Sequence, residues 1–224
     1  MMTRHRHSFW WMSLLGIGLL AAVLLTACDS FEDLNTDPNN PGDAPENLRL
    51  TSVLSNFSYQ VVGGEAARTP SHWVQQLAFN GVQPSLDTYD HDESDVDNLW
   101  RFFSYTDVMH NARLLDQKAT DNGNFEYAGI AKTLLAWNLM IVTDLWGDVP
   151  YSEAFQVETT TAPVYDSQED VYAAIVDLLT AAKADFERDL DPNRPLPLSP
   201  GSDDLIYGGD MERWARLAST LLAR

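Results

Sequence analysis

The apolar residues of this chain recur at intervals of three and four, and this spacing constrains the fold more than any other feature. Between residues 125 and 145 the residues with this spacing are Tyr127, Ile130, Ala131, Leu134, Leu135, Trp137 and Ile141. Side chains at these intervals share one face of an α-helix, and the sequence shows no stretch with the alternation of a half-buried strand. The run over residues 134–142 is too short to cross a bilayer and is interrupted by Asn138. We therefore predict a buried helix at the centre of the core.

Five further segments carry helical spacing, which predicts an all-α fold. The first helix runs through residues 50–61 and ends at Gly63-Gly64, and the second holds Trp73, Val74, Leu77 and Ala78 and stops near Asn80-Gly81. The third covers 95–119, and the fourth is the central helix described above. The fifth is capped by Asp166 or Ser167, and the sixth covers 211–224 after Asp210. The central helix is expected to end at Gly147, which suits a left-handed cap, before Pro150. The third pairs with the fourth and the fifth with the sixth in tetratricopeptide-like spacing. Such antiparallel pairs stack into a superhelix with a binding surface.

The amino terminus has the order of a secretory signal. Arg4 and Arg6 precede an uncharged apolar run over residues 9–27, and small residues lead into Cys28, the only cysteine. This order is typical of a signal peptide, and the ending LTAC matches the lipobox of bacterial lipoproteins. A transmembrane anchor is the alternative, since the run is long enough to cross a bilayer, but such an anchor has no need of the cysteine. The predicted segments are a signal peptide over 1–27, a tether lipidated at Cys28 over 28–45, and a helical domain over 46–224.

Charge and cysteine content exclude several classes of protein. The net charge is −19, and it becomes −21 without residues 1–27, which hold two arginines and no acidic residue. Because so acidic a surface repels phosphate backbones, we expect no nucleic-acid partner. With Cys28 lipidated there is no intramolecular disulfide, and the sequence has no Cys and His cluster for zinc. Stability must therefore come from a hydrophobic core.

Four segments together resemble the SusD/RagB family of nutrient-binding outer-membrane lipoproteins. They are CDSFEDLNTDPNNP from Cys28, YAGIAKTLLAWNLMIVTDLWGDVPYSEA from Tyr127, PVYDSQEDVYAAIVDLL from Pro163 and DLIYGGDMERWARLASTLLAR from Asp204. The resemblance implies a SusD-like helical superhelix and a non-catalytic protein on the cell surface. It implies capture of an oligosaccharide or a peptide for import through a SusC-like TonB-dependent outer-membrane barrel. Members are about twice this length, and their carboxyl half builds much of the ligand site, so we expect the chain to be truncated at its carboxyl end.

The acidic connection over residues 83–97, which leads to Trp100, is the candidate ligand site. It is longer than an ordinary interhelix loop, and the resemblance places it near the part of the fold that approaches ligand. Capture of a sugar needs flat aromatic faces for its C–H side and polar groups for its hydroxyls. The connection offers both types of side chain, namely Tyr89, Asp90, His91, Asn98 and Trp100. The alternatives are that Trp100 belongs to the core and that Tyr89 is only solvated.

The remaining candidates for chemistry are acidic side chains. The acidic loop holds Asp90, Asp92, Glu93, Asp95 and Asp97. Several carboxylates on a loop could bind calcium, but this loop lacks the glycine and the distal glutamate of an EF-hand. A solvated acidic loop is therefore the preferred interpretation. Asp144, Asp148 and Glu153 could form a glycosidase pair, but turn-stabilising hydrogen bonds explain them better. We therefore predict no metal, no cofactor and no catalysis. The alternative to nutrient capture is a lipid-anchored helical-repeat adaptor that contacts only protein partners.

Overall fold

The computed structural model describes residues 43–80, 86–90, 92–156, 159–188 and 198–224. The predicted signal peptide over 1–27, Cys28 and nearly all of the tether lie outside the described residues. The helices are α1 (Glu46–Asn56), α2 (Ala66–Trp73), α3 (Asn111–Asn122), α4 (Phe125–Trp146), α5 (Gln168–Phe186) and α6 (Met211–Leu222), with π-helical segments over Phe57–Glu65 and Leu99–His110 and a short 3₁₀ turn over Glu93–Asp95. The described residues contain no strand beyond an isolated antiparallel bridge between Val149 and Asp166. The predicted all-α fold is confirmed.

Helix α4 lies at the centre of the core, as its spacing predicts. It packs against α3, α5, α6 and the segment Leu99–His110. The five consecutive residues 127–131 are all buried, so α4 is covered on every side at this point. Among the described helices it alone is long and apolar enough to cross a membrane, yet 72% of its apolar window is buried inside the protein. The burial identifies it as a core helix.

A glycine permits the close contact between α4 and α5. A Cβ atom on Gly129 would lie 2.5 Å from Cε1 of Phe186, which is nearer than packed carbon atoms approach. The predicted pairs are present, since α3 packs on α4 and α5 packs on α6. The contact between α4 and α5 joins the two pairs into one stack of helices.

The caps of the last three helices agree with the prediction. Ser167 begins α5, and its hydroxyl accepts a hydrogen bond from the backbone N–H of Asp170. Asp210 begins α6 in the same way, through the N–H of Arg213. Gly147 ends α4 with φ of +79°, a conformation that favours glycine. Strong local signals therefore set these boundaries.

The predicted second helix is wrong in its position. Helix α2 ends at Trp73, and Val74 and Leu77 are 65% and 50% exposed rather than in the core. The chain turns at Gln75, whose φ is +59°, and the N–H groups of the next two residues donate back to the carbonyl oxygen of Ser71. The apolar spacing of residues 74–78 therefore lies beyond the helix end.

A carboxylate holds the chain in place after this turn. Asp87 accepts hydrogen bonds from the backbone N–H of Phe79 at 2.7 Å and from the ring of His72 at 2.8 Å. The Phe79 N–H, followed by His72, lowers the pKa of Asp87. Because the partners of Asp87 are distant in sequence, the spacing of apolar residues could not reveal this arrangement.

The first and third predicted helices contain π-helical segments in place of regular α-helix. The first continues past Gly63 and bends at Gly64, whose φ and ψ of −99° and −133° are not helical. The third begins at Asp97, close to the predicted Asp95, and is π-helical from Leu99 to His110. Such segments are rare and occur frequently at functional sites.

Candidate functional site

A half-open cavity of about 590 Å³ lies where four parts of the chain meet. These parts are the acidic loop around Glu93, the start of the second π-helical segment, the end of α4 and the segment that precedes α5. The lining consists of three aromatic side chains, one aliphatic side chain and a polar rim, namely Trp100, Trp146, Tyr165, Val96, Glu93, Ser94, Asp97 and Asp148. We call it the first cavity.

The aromatic wall of the first cavity is centred on Trp100. The ring centroids of Trp100 and Tyr165 are 6.4 Å apart with planes 17° from parallel, and Trp146 meets Trp100 edge to face at 5.2 Å. Tyr105 contacts Trp100 from a further position, at 5.1 Å. Tyr165 is 66% exposed, whereas Trp100 and Trp146 are partly buried against the core. Rigid rings with one open face provide a surface on which the C–H side of a sugar can pack.

Asp166 fixes the position of Tyr165 from the next residue in the chain. One carboxylate oxygen accepts hydrogen bonds from the N–H groups of Tyr151 and Ser152, both at 2.8 Å, and the other accepts the Ser152 hydroxyl at 2.6 Å. Its backbone exchanges two hydrogen bonds with Val149, each of 3.1 Å. Burial alone would raise the pKa of Asp166, but the hydrogen bonds from Ser152 and Tyr151 outweigh it and lower the pKa.

Tyr105 ties the second π-helical segment to the chain that follows α4. Its hydroxyl donates a hydrogen bond to the carbonyl oxygen of Pro150 at 2.7 Å. Burial, followed by the nearby Tyr165 and Asp166, raises the pKa of Tyr105 far above its ordinary value. The hydroxyl of Tyr105 is therefore a neutral donor at physiological pH. Its hydrogen bond to Pro150 fixes the Tyr105 ring, which packs against Trp100.

Asp148, one of the three carboxylates that line the first cavity, and two carboxylates of the acidic loop have structural hydrogen bonds. Asp148 accepts from the N–H of Gln168 at the start of α5, at 2.9 Å. In the acidic loop, Asp92 accepts the N–H of Ser94 at 2.8 Å, and Asp95 accepts the N–H of Asp92 at 3.0 Å. Within the ranges that the structure describes, no group of three or more His, Cys, Asp or Glu side chains is arranged to hold a metal ion. Asp92 and Asp95 therefore cap the short 3₁₀ turn.

The carboxylates considered for glycosidase chemistry also have partners. Asp144 accepts hydrogen bonds from the hydroxyl of Tyr172 and, at 2.6 Å, from the guanidinium of Arg224. Glu153 accepts the N–H of Val164 at 3.2 Å. The bond of Glu153 lies within the connection between α4 and α5, whereas those of Asp144 link α4 to α5 and to the chain after α6 and do not stabilise a turn.

A smaller cavity of about 200 Å³ adjoins the first. We call it the second cavity. Trp146 and Val96 line both cavities. Its other lining residues come from the end of the first π-helical segment, α2, the second π-helical segment and the end of α4, namely Glu65, Ala66, Thr69, Pro70, Trp73, Leu99 and Leu145.

The structure places the five predicted ligand contacts in different surroundings. Trp100 lines the first cavity. Tyr89 is 60% exposed, and its hydroxyl donates to the carbonyl oxygen of Trp73 at 2.6 Å. Asp90 and Asn98 are exposed and are not among the described lining residues, and His91 lies outside the described residues. As ligand contacts, all five stay predictions.

Sequence reasoning missed Trp146 and Tyr165 as site residues. Trp146 directly precedes Gly147, whose φ is positive, and an indole at a helix end is a signal that could have been used. Tyr165 has no such local signal, because its approach to Trp100 depends on the hydrogen bonds of Asp166. The site is assembled by tertiary contacts.

Residues 38–224 match the model of a protein family described as SusD-like, starch-binding and associating with the outer membrane. A search of curated proteins finds no match. Among solved structures, a SusD/RagB family protein from Bacteroides thetaiotaomicron is similar with a TM-score of 0.69 and 20% identity, over 81% of this chain and 37% of that one. A SusD homolog from Parabacteroides distasonis has a TM-score of 0.62 and 18% identity, over 80% and 34%.

A chitin-binding SusD homolog from Flavobacterium johnsoniae is similar with a TM-score of 0.55 and 24% identity, over 77% of this chain and 37% of that one. At these identities the likeness shows a shared fold. The chain spans between 34% and 37% of the length of each of these three solved proteins.

Proposed function

We propose that this chain, which belongs to the SusD-like family, captures an oligosaccharide at the outer membrane and does not alter it chemically. The observation that carries the proposal is the aromatic wall of Trp100, Trp146 and Tyr165 in the first cavity. Apolar faces with a few polar groups at the rim are typical of small-ligand sites. The volume of about 590 Å³ lies within the range of such sites.

A glycan fits this wall better than a peptide. Tyr165 and Trp100 are nearly parallel, and together with the carboxylate and hydroxyl groups of the rim they supply both contacts that a pyranose needs. The description of a structural neighbour as chitin-binding supports the same choice. Tyr89, Asp90, His91 and Asn98 stay proposed as further contacts from the preceding loop.

Two of the acidic groups considered for glycosidase chemistry are held by hydrogen bonds, which favours a binding role for them, whereas Glu93 and Asp97 at the rim of the first cavity are exposed. General acid catalysis needs a carboxyl group that is free to approach the scissile bond. Asp148 bonds to the start of α5, and Asp144 bonds to Tyr172 and Arg224. The family description also names binding and no reaction.

Membrane attachment and delivery complete the proposal. Cys28 is the proposed site of lipidation, after removal of residues 1–27, and the lipid holds the protein at the outer membrane. The proposed partner is a SusC-like TonB-dependent barrel that imports the captured glycan. Extraction of the native protein in detergent and intact mass measurement of what co-elutes tests this part. A lipidated chain with a large barrel is expected, and a chain without a barrel would favour the protein-only adaptor.

Ligand binding is tested with variants of the aromatic wall. Tyr165→Ala is the first choice, because this ring is 66% exposed and its removal leaves the core intact. Loss of one stacked ring costs about 1.5 kcal/mol, which is roughly a tenfold loss of affinity. Trp100→Ala is expected to lose at least as much. Phe102→Ala is the matched control, since Phe102 is a 45% exposed aromatic on the same segment and is not among the described lining residues.

The measurement is calorimetric titration with hexamers of N-acetylglucosamine and of α-1,4-linked glucose. Binding of either glycan by the wild type and the Phe102→Ala variant, with at least tenfold weaker binding by Tyr165→Ala, is the expected result. Equal affinities for the wild type and for both wall variants would contradict the proposed site. No binding of either glycan by the wild type would favour the adaptor.

A further inference from the structure

Three basic side chains converge where α1, α3 and the second π-helical segment pack together. They are Arg49 on α1, His110 at the end of the π-helical segment and Arg113 on α3, and we call them the basic cluster. None of the three is among the described lining residues of either cavity. Partial burial, followed by Arg49 and Arg113, lowers the pKa of His110, so both arginines lie close enough to act on its charge. In a chain of net charge −19 this convergence is a local exception.

The ring of Phe155 positions two members of the basic cluster. The guanidinium carbon of Arg113 lies over this ring, 5.4 Å from its centroid. The ring of His110 is stacked on Phe155, with centroids 6.3 Å apart and planes 26° from parallel. A cation–π contact holds a guanidinium in place without supplying an oxygen acceptor for its N–H groups. Phe155 therefore brings Arg113 and His110 together and leaves their polar groups without an acceptor.

Most donors of the two arginines are open to a ligand. Arg49 donates one hydrogen bond, from Nη1 to Oδ1 of Asn111 at 3.0 Å. Arg113 forms no hydrogen bond with any residue that the structure describes. Nε of Arg49 is enclosed without a partner and cannot be reached as it is placed, but no other donor of the two guanidinium groups is buried in this way. The remaining N–H groups can therefore meet an acceptor from outside.

No carboxylate of the described segments neutralises the two arginines. Asp116 lies one turn after Arg113 on the same helix, but it bonds to Lys132 instead. Neither Arg49 nor Arg113 forms an ion pair within the described ranges. The positive charge of the basic cluster is thus available to an anion, and two guanidinium groups offer paired N–H donors to its oxygen atoms.

Tyr151 adds a neutral donor beside Arg113. Burial raises the pKa of Tyr151, and Arg113 and Asp116 act on it in opposite directions, which places its hydroxyl near both. This hydroxyl bonds to no described residue and is not among the enclosed atoms without a partner. A ligand that carries further oxygen atoms next to its charge can therefore satisfy the guanidinium and the hydroxyl together. Sugars carry such oxygen atoms on successive carbons.

We propose that the basic cluster binds the oxyanion of an acidic sugar, either the carboxylate of a uronic acid or a sulfate ester. Two oxygen atoms of one oxyanion fit the N–H fork of a guanidinium, and the His110 ring supplies an N–H donor in either charge state. The choice of a sugar rests on the proposed glycan binding, whereas the site itself is separate from the first cavity. A free anion is less suited, because an exposed charge pair alone contributes little in water.

The test uses three β-1,4-linked hexamers that share a backbone and differ at carbon 6, namely those of glucose, glucuronic acid and glucose 6-sulfate. They are titrated calorimetrically at pH 7 and low salt into the full protein, purified in detergent from its own membranes. Arg113→Gln removes the charge and the fork from a side chain that bonds to no described acceptor, and Arg113→Lys keeps the charge alone. Arg216→Gln is the matched control, because it removes one charge from a 64% exposed arginine on α6.

We expect the wild type and Arg216→Gln to bind at least one acidic hexamer about tenfold more tightly than the glucose hexamer, since hydrogen bonds to charged groups are the stronger ones. Arg113→Gln is expected to lose this preference and to keep its affinity for the glucose hexamer. Arg113→Lys should lose most of it, because an ammonium group cannot form the paired bonds. The expected preference opposes the net charge of −19, so general attraction cannot produce it.

The glucose hexamer separates failure of this inference from failure of the proposed function. If the wild type binds the acidic hexamers no more tightly than the glucose hexamer, the inference is overturned and glycan binding is left intact. A preference that survives in Arg113→Gln would overturn the basic cluster as its source. Binding of the acidic hexamers alone, lost in Arg113→Gln, would support the inference and contradict capture of neutral glycans by the first cavity. Binding of no hexamer would contradict both proposals.

Sodium sulfate and a hexamer of aspartate test the other sources of an oxyanion. Each is expected to bind at least roughly tenfold more weakly than the preferred acidic hexamer, because neither presents sugar oxygen atoms beside its charge. Sulfate that binds as tightly as the acidic hexamer would reduce the site to one for a free anion and overturn the choice of a sugar. An aspartate hexamer that binds more tightly, with a dependence on Arg113, would overturn that choice in favour of an acidic peptide.

Discussion

Replacement of Asp166 by alanine should destabilise the protein at the edge of the first cavity. The substitution leaves three donors without their carboxylate partner, namely two backbone N–H groups and the Ser152 hydroxyl. The N–H of Tyr151 is part-buried, whereas the two donors of Ser152 are exposed and can turn to water. The backbone bridge from Asp166 to Val149 does not depend on the side chain, so the effect should be local.

The size of the effect follows from the number and exposure of these bonds. A hydrogen bond to a charged group contributes about 1.5 to 3 kcal/mol when buried, and much less in contact with water. The part-buried bond therefore dominates, and the free energy of unfolding should fall by about 2 kcal/mol at pH 7. Asp166→Asn should lose about 1 kcal/mol, since one amide oxygen still accepts both N–H groups and its amide can donate to Ser152.

The pH dependence of this loss has a definite sign. The folded pKa of Asp166 lies below its ordinary value of 3.8, so the unfolded chain takes up a proton first as the pH falls. The stabilisation is therefore fully present above that ordinary pKa and disappears as the pH falls through the lower, folded pKa. The difference between the wild type and Asp166→Ala should shrink between pH 4 and lower pH.

Urea unfolding of the wild type and both variants at pH 7 and pH 3 provides the measurement. Comparison with the wild type at each pH removes the contribution of the other carboxylates. The reasoning would be refuted by an alanine variant within about 0.5 kcal/mol of the wild type at pH 7, or by a larger difference at pH 3 than at pH 7.

Three further substitutions test the core, each by urea unfolding against the wild type. Asp204→Asn should cost about 3 kcal/mol, because this buried carboxylate accepts three backbone N–H groups and an indole N–H, and the amide nitrogen would face two of these donors. Gly129→Ala should cost about 2 kcal/mol despite its better helix propensity, since the new methyl group meets the ring of Phe186. Lys132→Met should cost about 3 kcal/mol, because Asp185 is buried and loses its 2.8 Å ion pair. Changes below about 0.5 kcal/mol would contradict the packing or bonding described at each position.

The sequence predicted best where one local signal acts alone. Helix α4 spans the predicted run almost to the residue, and α5 and α6 begin after the predicted caps. Helix α2 was misplaced because the turn at Gln75 is stabilised by Asp87, which belongs to a later loop. Apolar spacing carries no information about a carboxylate that reaches back from another segment.

The candidate site could be predicted only in part for the same reason. Trp100 was identified because it follows a long polar loop and is aromatic. Trp146 and Tyr165 reach it from 46 and 65 positions further along the chain. Their approach depends on the bonds of Asp166 and Tyr105, which only the folded chain brings together.

The π-helical geometry of the segment Leu99–His110 explains how Trp100 is supported. In an α-helix, residues five apart are separated by about 140° around the axis, so Trp100 and Tyr105 would point to different sides. A π-helix is wound more loosely, with hydrogen bonds between residues five apart, so such residues lie nearer to one side of the axis, and the two ring centroids are 5.1 Å apart. Tyr105 is in turn bonded to Pro150 beyond α4. The departure from the predicted α-helix therefore places a fixed ring beneath the aromatic wall on which the proposed sugar packs.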